Sequence, residues 1–441
     1  MKDLEFANNL YTFRKSEGLG QKDLAKLLGL TNKAISKWET GAGYPTVEQL
    51  IKLSKIFNVT LDELVSKTPS KDLIIKKICL TGGPCSGKTT AISWIQTEFR
   101  KKGWTTLFIG ESATEFILSG AAPWTLNSVI DFQAYLLKHQ LNKEKIYEEL
   151  AQHMFNAKKV LIVCDRGALD TKAYLNEAEF KQVLKRLNTN EVTLRDSYDA
   201  VFHLVSSANG AEEFYSSANN NARYETIEEA KEIDQKTLNA WTGHPHLRVI
   251  DNSTNFESKM RRLMAEISSF LGEPQPYEIE RKFLIELPNI KQLEKLPNCH
   301  KTEIIQTYLK SSPDIEIRIR QRGEGENFTY TKTIKQEVSL GKRIETESRI
   351  TKNEYLKLLI ESDPTRHPIT KTRYCLMSQG QYFEIDIYPQ WKDKAIIEIE
   401  LTNAEHKIKF PKFINIIKEV TDDKKFFNSN LAKIPTDQIP D

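Results

Sequence analysis

The stretch Thr81-Gly82-Gly83-Pro84-Cys85-Ser86-Gly87-Lys88-Thr89-Thr90 narrows the possible folds of this chain more than any other. A strand-like run, residues 74–80, leads into it and a helical pattern leaves it. The pattern G-x-x-x-x-G-K-[ST] therefore stands where a strand turns into a helix. Glycines there let backbone N–H groups converge on phosphate oxygens, and the helix N-terminus adds partial positive charge. The whole run from Gly82 to Thr90 is expected to wrap the phosphates of ATP or GTP. Lys88 is expected to reach the β and γ phosphates, and Thr89 to ligate Mg²⁺. Cys85 reads as a small filler, a redox role being the alternative.

Residues 72–272 alternate apolar strands with helical stretches, the grammar of a parallel sheet with helices on both faces. Residues 105–109 are followed by Gly110-Glu111, and residues 159–164 by Asp165-Arg166-Gly167. In open parallel sheets ligands collect at the carboxyl ends of strands, so both acids belong beside the phosphate loop. Asp165 suits Mg²⁺ through water, and Arg166 suits a phosphate. Glu111 is either a catalytic base on an acceptor hydroxyl or a cap for the next helix. This arrangement resembles that of small-nucleoside kinases. Residues 219–226 form a polar stretch containing Arg223 and resemble a mobile lid over the transferred phosphate. With Asp234, Leu238, Trp241, His244-Pro245 and Val249-Ile250-Asp251-Asn252, the set resembles a P-loop family. That family includes the kinase domain of the bacterial NAD-biosynthesis regulator and an animal P-loop–CYTH protein that binds GTP and phosphoinositide. The regulator's adenylyltransferase domain has no counterpart here.

Residues 4–66 read as short amphipathic helices without strand pattern. Leu24, Ala25, Leu27 and Leu28 share a helix face that Gly29 ends, and Thr31 caps a second helix carrying Ala34, Ile35 and Trp38. The string from Gln21 through Pro45 closely resembles the Cro/C1-type helix-turn-helix family, whose second helix enters the major groove of double-stranded DNA. Carried over by position, Thr31, Asn32, Lys33, Ser36 and Lys37 face DNA. A helical bundle used only for protein contacts is the alternative. The resemblance also implies a homodimer.

Residues 276–435 hold strands with charges at every second position: Glu278-x-Glu280-x-Lys282, Arg318-x-Arg320, Arg343-x-Glu345-x-Glu347, Glu384-x-Asp386 and Glu398-x-Glu400. Five such strands, some acidic and some basic, point to a closed barrel with a charged lumen. Buried unpaired charge costs several kcal/mol, so that lumen should hold a highly charged ligand and a metal. Glu278-x-Glu280-x-Lys282 is the signature of the CYTH, or triphosphate tunnel metalloenzyme, family, whose fold is an eight-stranded antiparallel tunnel. The segment resembles small bacterial tripolyphosphatases. By motif position, Lys282, Arg318, Arg320, Lys335, Arg343, Lys371 and Arg373 would grip a triphosphate. Glu278, Glu280, Glu345, Glu347, Asp386, Glu398 and Glu400 would hold Mg²⁺ or Mn²⁺, with Glu280, Lys282 and Lys371 as catalytic residues. Phe426 stands where relatives often carry Tyr.

Composition sets the outer bounds. With 63 basic and 60 acidic residues the net charge is +3, so bulk charge argues for no nucleic-acid partner. Apolar runs are too short to span a bilayer, and the first residues carry no signal-like core. Five scattered cysteines fit neither a zinc site nor a disulfide framework, and a reducing cytoplasm is the expected location. The combined expectation is a DNA-binding, nucleotide-responsive protein with a kinase-like P-loop domain and a metal-dependent triphosphate hydrolase. A regulator that senses without turnover and a class IV adenylyl cyclase are the alternatives.

Overall fold

A computed structural model describes residues 4–57, 59, 61–65, 73–154, 157–214, 226–273, 279–312, 315–339, 342–401 and 407–434. The chain divides into two compact units, residues 1–74 and 75–441.

The first unit is helical: α1 (Leu4–Ser16), α2 (Gln21–Leu28), α3 (Asn32–Glu39), α4 (Val47–Phe57) and α5 (Leu61–Val65). Their apolar faces meet in a core of Phe6, Leu10, Leu24, Leu28, Ile35, Trp38, Leu53 and Phe57. Gly29 ends α2 at φ 68°, and the Thr31 hydroxyl accepts the Ala34 N–H at 3.3 Å, capping α3. Sequence reading missed a buried fork. Arg14 Nε and Nη2 donate to the two carboxylate oxygens of Glu39 at 2.5 and 2.9 Å, and Gln21 Nε2 adds a bond at 2.7 Å. This fork ties α1 and α2 to α3.

The second unit holds two sheets. The first has five parallel strands in the order β2-β3-β1-β4-β5: β1 (Ile74–Thr81), β2 (Thr105–Ile109), β3 (Lys159–Asp165), β4 (Ala200–Leu204) and β5 (Leu247–Ile250). One face, through Ile78, Leu80, Leu161, Val163 and Phe202, packs on α6 (Lys88–Lys101) and α12 (Phe256–Phe270). The other face turns Lys77 onto Glu144 of α8 (Val129–Gln152) at 2.9 Å. Between these lie α7 (Ser112–Leu118), α9 (Glu177–Arg186), α10 (Glu191–Arg195) and α11 (Ile227–Trp241). Burial on both faces explains why these strands read as near-continuous apolar runs.

The second sheet is antiparallel, in the order β10-β9-β8-β7-β11-β12-β13-β6-β14. Its strands are β6 (Ile279–Glu286), β7 (Cys299–Leu309), β8 (Ile315–Glu324), β9 (Asn327–Ser339), β10 (Lys342–Ile350), β11 (Ile369–Ser378), β12 (Gln381–Ile387), β13 (Lys394–Leu401) and β14 (Ile416–Glu419). Nine strands replace the expected eight. The extra one, β14, is four residues long, exposed throughout, and shifts register between Ile416 and Lys418. So short a run has no readable alternation. Among the described residues no ladder joins the edge strands β10 and β14. One face of the sheet is apolar, through Phe283, Ile285, Phe383, Ile385, Ile397 and Ile399. The opposite face is charged, and one end of it is closed by Leu284, Tyr388, Trp391 and Phe426.

A buried polar weld joins the two sheets. Asp196, just after α10, accepts from Arg195 at 2.7 Å, Arg322 of β8 at 3.2 Å and Thr329 of β9 at 2.7 Å. Arg322 also donates to the Gly243 carbonyl, and Arg195 Nη1 lies 2.6 Å from His300 Nε2 of β7. Gly243 sits at φ 104°, and a Cβ there would come within 2.4 Å of the His300 ring. Only glycine fits that crossing without displacing the histidine.

Candidate functional sites

The 82–89 loop leaves β1 and closes on the N-terminus of α6. Gly82 has φ 138°, and a Cβ there would meet the Leu204 carbonyl oxygen at 2.1 Å, so the backbone passes β4 at a distance no side chain allows. Lys88 is buried and folds into the loop. Its Nζ donates to the carbonyls of Gly82 and Gly83 at 3.1 and 3.3 Å and to Ser86 Oγ at 3.2 Å. Burial, followed by the neighbouring Arg166 charge, brings its pKa down to about 8 against the pull of Asp165, Glu111 and Asp170. Cys85 is half-buried at φ 55°. Pro84 accepts from Ser206 through its carbonyl. Thr89 and Thr90 open α6.

Both strand-end acids lie in this network. Asp165 Oδ1 is buried without a hydrogen-bond partner. Burial pushes its carboxyl up, with Glu111 and Asp170 adding to the effect and Lys88 and Arg166 opposing it. Glu111 occupies the position before α7, yet its carboxylate makes no cap bond to the helix. It accepts instead from Arg166 Nε at 2.6 Å and Thr114 Oγ1 at 2.7 Å. Burial alone would raise its pKa, but the charges of Arg166 and Lys88 outweigh it and bring the group down to about 2. The geometry thus separates the two sequence readings of Glu111: it faces the phosphate-loop cations, not the backbone of α7. Arg166, expected on a phosphate, is held between Glu111 and Asp170, the latter at 3.3 Å. Arg223 lies outside the described residues.

Sequence reasoning missed three supports of the loop. Asp170 accepts from Thr81 Oγ1 at 2.8 Å and Trp241 Nε1 at 2.6 Å; its spacing four residues after Arg166 was the available signal. Asp234 Oδ1 on α11 accepts the Gly83 N–H at 2.6 Å. Lys259 on α12 donates to the carbonyls of Ser86 and Val205 at 3.1 and 2.7 Å. Asp234 entered the sequence reading only as one letter of a family string, and Lys259 not at all.

An orphaned, buried Asp165 oxygen and the Thr89 hydroxyl at the head of α6 are the kind of oxygen donor that Mg²⁺ takes.

On the antiparallel sheet, the register brings the expected charges together. Glu280 pairs with Glu400 and Lys282 with Glu398 across β6 and β13; Glu384 faces Glu398, and Arg373 faces Asp386. Lys282 Nζ lies 2.7 Å from Glu398 and 3.0 Å from Glu280. Arg373 reaches Asp386 at 2.6 Å, Glu398 at 2.8 Å and also Glu384, while Lys371 is hydrogen-bonded to Asp386. Lys371, Asp386 and Glu398 are all buried. Burial opposes ionisation of Glu398 and Asp386, but the Lys282, Lys371 and Arg373 charges hold both below the usual carboxylate range. Glu280, crowded by burial and by Glu398 against the pull of Lys282, is pushed up to about 7.

Arg318, Arg320 and Lys335 lie half-buried on β8 and β9, with Arg320 Nη2 at 3.4 Å from Gln306 Oε1. Glu347 on β10 accepts from Thr333 at 3.0 Å. Glu278 and the side chains of Arg343 and Glu345 lie outside the described residues. Glu400 is hydrogen-bonded to Arg248 of the parallel sheet. Among the described residues no three His, Cys, Asp or Glu side chains are grouped to hold a metal ion. Glu280, Glu347, Asp386, Glu398 and Glu400 are each matched to a cation or hydroxyl of the chain itself.

In the first unit, Thr31, Asn32, Lys33 and Lys37 are exposed and Ser36 is half-buried, while Ile35 and Trp38 hold the core. Among the described residues no helix is long and apolar enough to cross a membrane.

Comparison with known proteins defines the class of two parts of the chain. Residues 10–64 match the family described as helix-turn-helix, and residues 77–259 match the family described as AAA domain. A segment similar to helix-turn-helix proteins is thus followed by one similar to AAA domains. Among curated proteins, the HTH-type transcriptional activator BcrR of Enterococcus faecalis is 48% identical over 63 residues, covering 14% of this chain and 31% of BcrR. The uncharacterized HTH-type transcriptional regulator YqaE of Bacillus subtilis (strain 168) is 38% identical over 60 residues, 14% of this chain and 52% of YqaE. The chain spans only about a third to a half of the length of these relatives. The crystal structure of the inorganic triphosphatase NE1496 is 28% identical, covering 36% of this chain and 96% of that one, with a TM-score of 0.27.

Proposed function

We propose that this chain is a DNA-binding protein that uses ATP or GTP at the 82–89 loop for phosphoryl transfer and grips a second phosphate chain on the charged face of its antiparallel sheet. The three parts are residues 4–66, 72–272 and 276–435. The observation that carries the reading is Lys88, held in the cup of the loop beside an unpartnered Asp165 oxygen. An incoming triphosphate takes the lysine from its backbone carbonyls, exchanging neutral acceptors for anionic ones, a gain for a charge-assisted bond. Thr89 and Asp165 would hold Mg²⁺, which neutralises charge on the transferred phosphate. Glu111 stays ionised beside Arg166 and serves as acceptor of a substrate hydroxyl proton or as its orienting partner.

On the sheet, Lys282, Lys371 and Arg373 are the phosphate ligands, with Arg318, Arg320 and Lys335 continuing the row. Hydrolysis there is the second reading, carried by the sequence signature around Glu280. Thr31, Asn32, Lys33, Ser36 and Lys37 are the DNA-facing set, and assembly as a homodimer on a two-fold operator goes with it.

Release of orthophosphate from tripolyphosphate with Mg²⁺ or Mn²⁺ tests the second site. Loss with Glu280→Gln but not with Lys88→Ala supports hydrolysis on the sheet; binding without turnover leaves a sensor. Cyclic AMP with pyrophosphate from ATP would instead make the sheet a cyclase. Nucleotide binding that survives Lys88→Ala unchanged would overturn the loop assignment.

A further inference from the structure

The phosphate-chain site on the antiparallel sheet does not end at that sheet. β5 is the edge strand of the parallel sheet. His246, just before it, and Arg248 within it stand two residues apart, so they share a face of the strand. His246 Nε2 lies 4.0 Å from Glu347 Oε1 on β10, and Arg248 Nη2 is hydrogen-bonded to Glu400 on β13. Arg248 Nε also approaches Glu266 of α12 at 3.5 Å. Thus two of the acids expected to bind metal are each met by a cationic or basic side chain from the nucleotide domain. A cavity of about 150 Å³ lies at this junction, lined by Arg248, Arg262 and Lys409 and by six acids, Glu280, Glu398 and Glu400 among them.

Resting on the reading of the charged face as a phosphate-chain site, we propose that Arg248 is a phosphate ligand of that site. The nucleotide domain thereby completes it. Glu398 binds Lys282 and Arg373, and Glu400 two residues along the same strand binds Arg248. The guanidinium therefore continues the cation row Lys371, Arg373, Lys282 along the acids of β13. Glu400 holds it there while the site is free of anion. A phosphate can replace the carboxylate and keep the guanidinium paired, because both are anionic acceptors that offer two oxygens to its fork. Its position on a rigid sheet edge fixes the reach of the arginine, so the outer phosphate is read by a residue outside the antiparallel sheet.

The test is calorimetric titration of the full chain with tripolyphosphate in the presence of a chelator, so that neither metal nor turnover contributes. Arg248→Met keeps the apolar stem and removes the fork. It is expected to weaken binding roughly tenfold or more while leaving the thermal midpoint nearly unchanged. Glu400→Gln removes the competing carboxylate and is expected to tighten binding. An Arg248→Met affinity within twofold of the parent overturns the proposal and makes the Arg248–Glu400 contact a strut only. Should Arg248→Met not fold, Glu400→Gln decides: tighter binding supports the subsite, unchanged or weaker binding overturns it. A parent protein that does not bind tripolyphosphate at all gives a different result, the failure of the phosphate-chain reading itself.

Discussion

The two proposed phosphate sites of the second unit are built on opposite plans. At the 82–89 loop the backbone does most of the work: close-packed glycines, a helix N-terminus, and one lysine resting on carbonyls. On the antiparallel sheet the backbone is engaged in ladders, and the site is made of side chains alone, with three cations already paired to four acids. The first site therefore meets a ligand by filling an open cup. The second must exchange internal ion pairs for a ligand, and each exchange costs desolvation that the new contacts have to offset. The loop should tolerate changes around it and fail on the loss of one residue. The sheet should spread its affinity over several residues and be sensitive to the weld that holds the two sheets together.

The largest expected effect strikes that weld. Arg322→Ala leaves Asp196 buried with fewer donors and should destabilise the second unit by about 3–5 kcal/mol, the range for a broken buried pair. Denaturant unfolding measures it, and a loss under about 1 kcal/mol would show that the pair behaves like a surface contact.

Next comes Lys88→Ala, expected to weaken ATP or GTP binding roughly 100-fold through loss of charge-assisted bonds. Metal-free tripolyphosphate binding on the sheet should stay unchanged. Equal losses at both sites would erase the contrast between an open cup and paired side chains.

Smaller is Asp234→Asn, which keeps the shape but removes the charge accepting the Gly83 N–H. Nucleotide affinity should fall by about 1 kcal/mol, one hydrogen bond's worth. On the helical unit, Lys37→Ala should reduce the salt dependence of DNA binding by about one phosphate contact while affecting all sequences alike.

The smallest effect concerns pH. Burial, with the Arg195, Arg322 and Lys172 charges beside it, brings His300 down to about 3, while Asp196 pulls the other way. A histidine held below its unfolded value of 6.5 supports the fold fully above that value and withdraws support as pH falls toward 3. The thermal midpoint should thus decline below pH 6.5, and His300→Gln, which does not titrate, should flatten that decline. An identical pH profile in the variant would remove His300 from the account.

Much of the fold and parts of each site could be read before any coordinates. The strand–loop–helix around Lys88, the capped helix at Thr31 and the alternating charges of Glu280-x-Lys282 and Glu398-x-Glu400 are local patterns, and their elements stand in the structure where those patterns put them. The ninth strand was not legible, because β14 has too few residues to show a period. Nor was the fate of Glu400: alternation placed it on the charged face, but only the docking of β5 determined that it meets Arg248.

What the sequence by itself determined was the order of three kinds of segment and the residues whose neighbours along the chain define them. Periodicity and turn chemistry are short-range, so glycine spacing, caps and alternating faces need no knowledge of the rest of the molecule. What only the tertiary structure decided was which opposite charges meet. Asp234 reaches Gly83 across 151 positions, and Arg248 reaches Glu400 across 152. Charges act through space, and a buried carboxylate takes whichever cation the fold delivers to it. Four of the acids that the family resemblance marked as metal ligands, Glu280, Asp386, Glu398 and Glu400, are in the folded chain held by lysine and arginine.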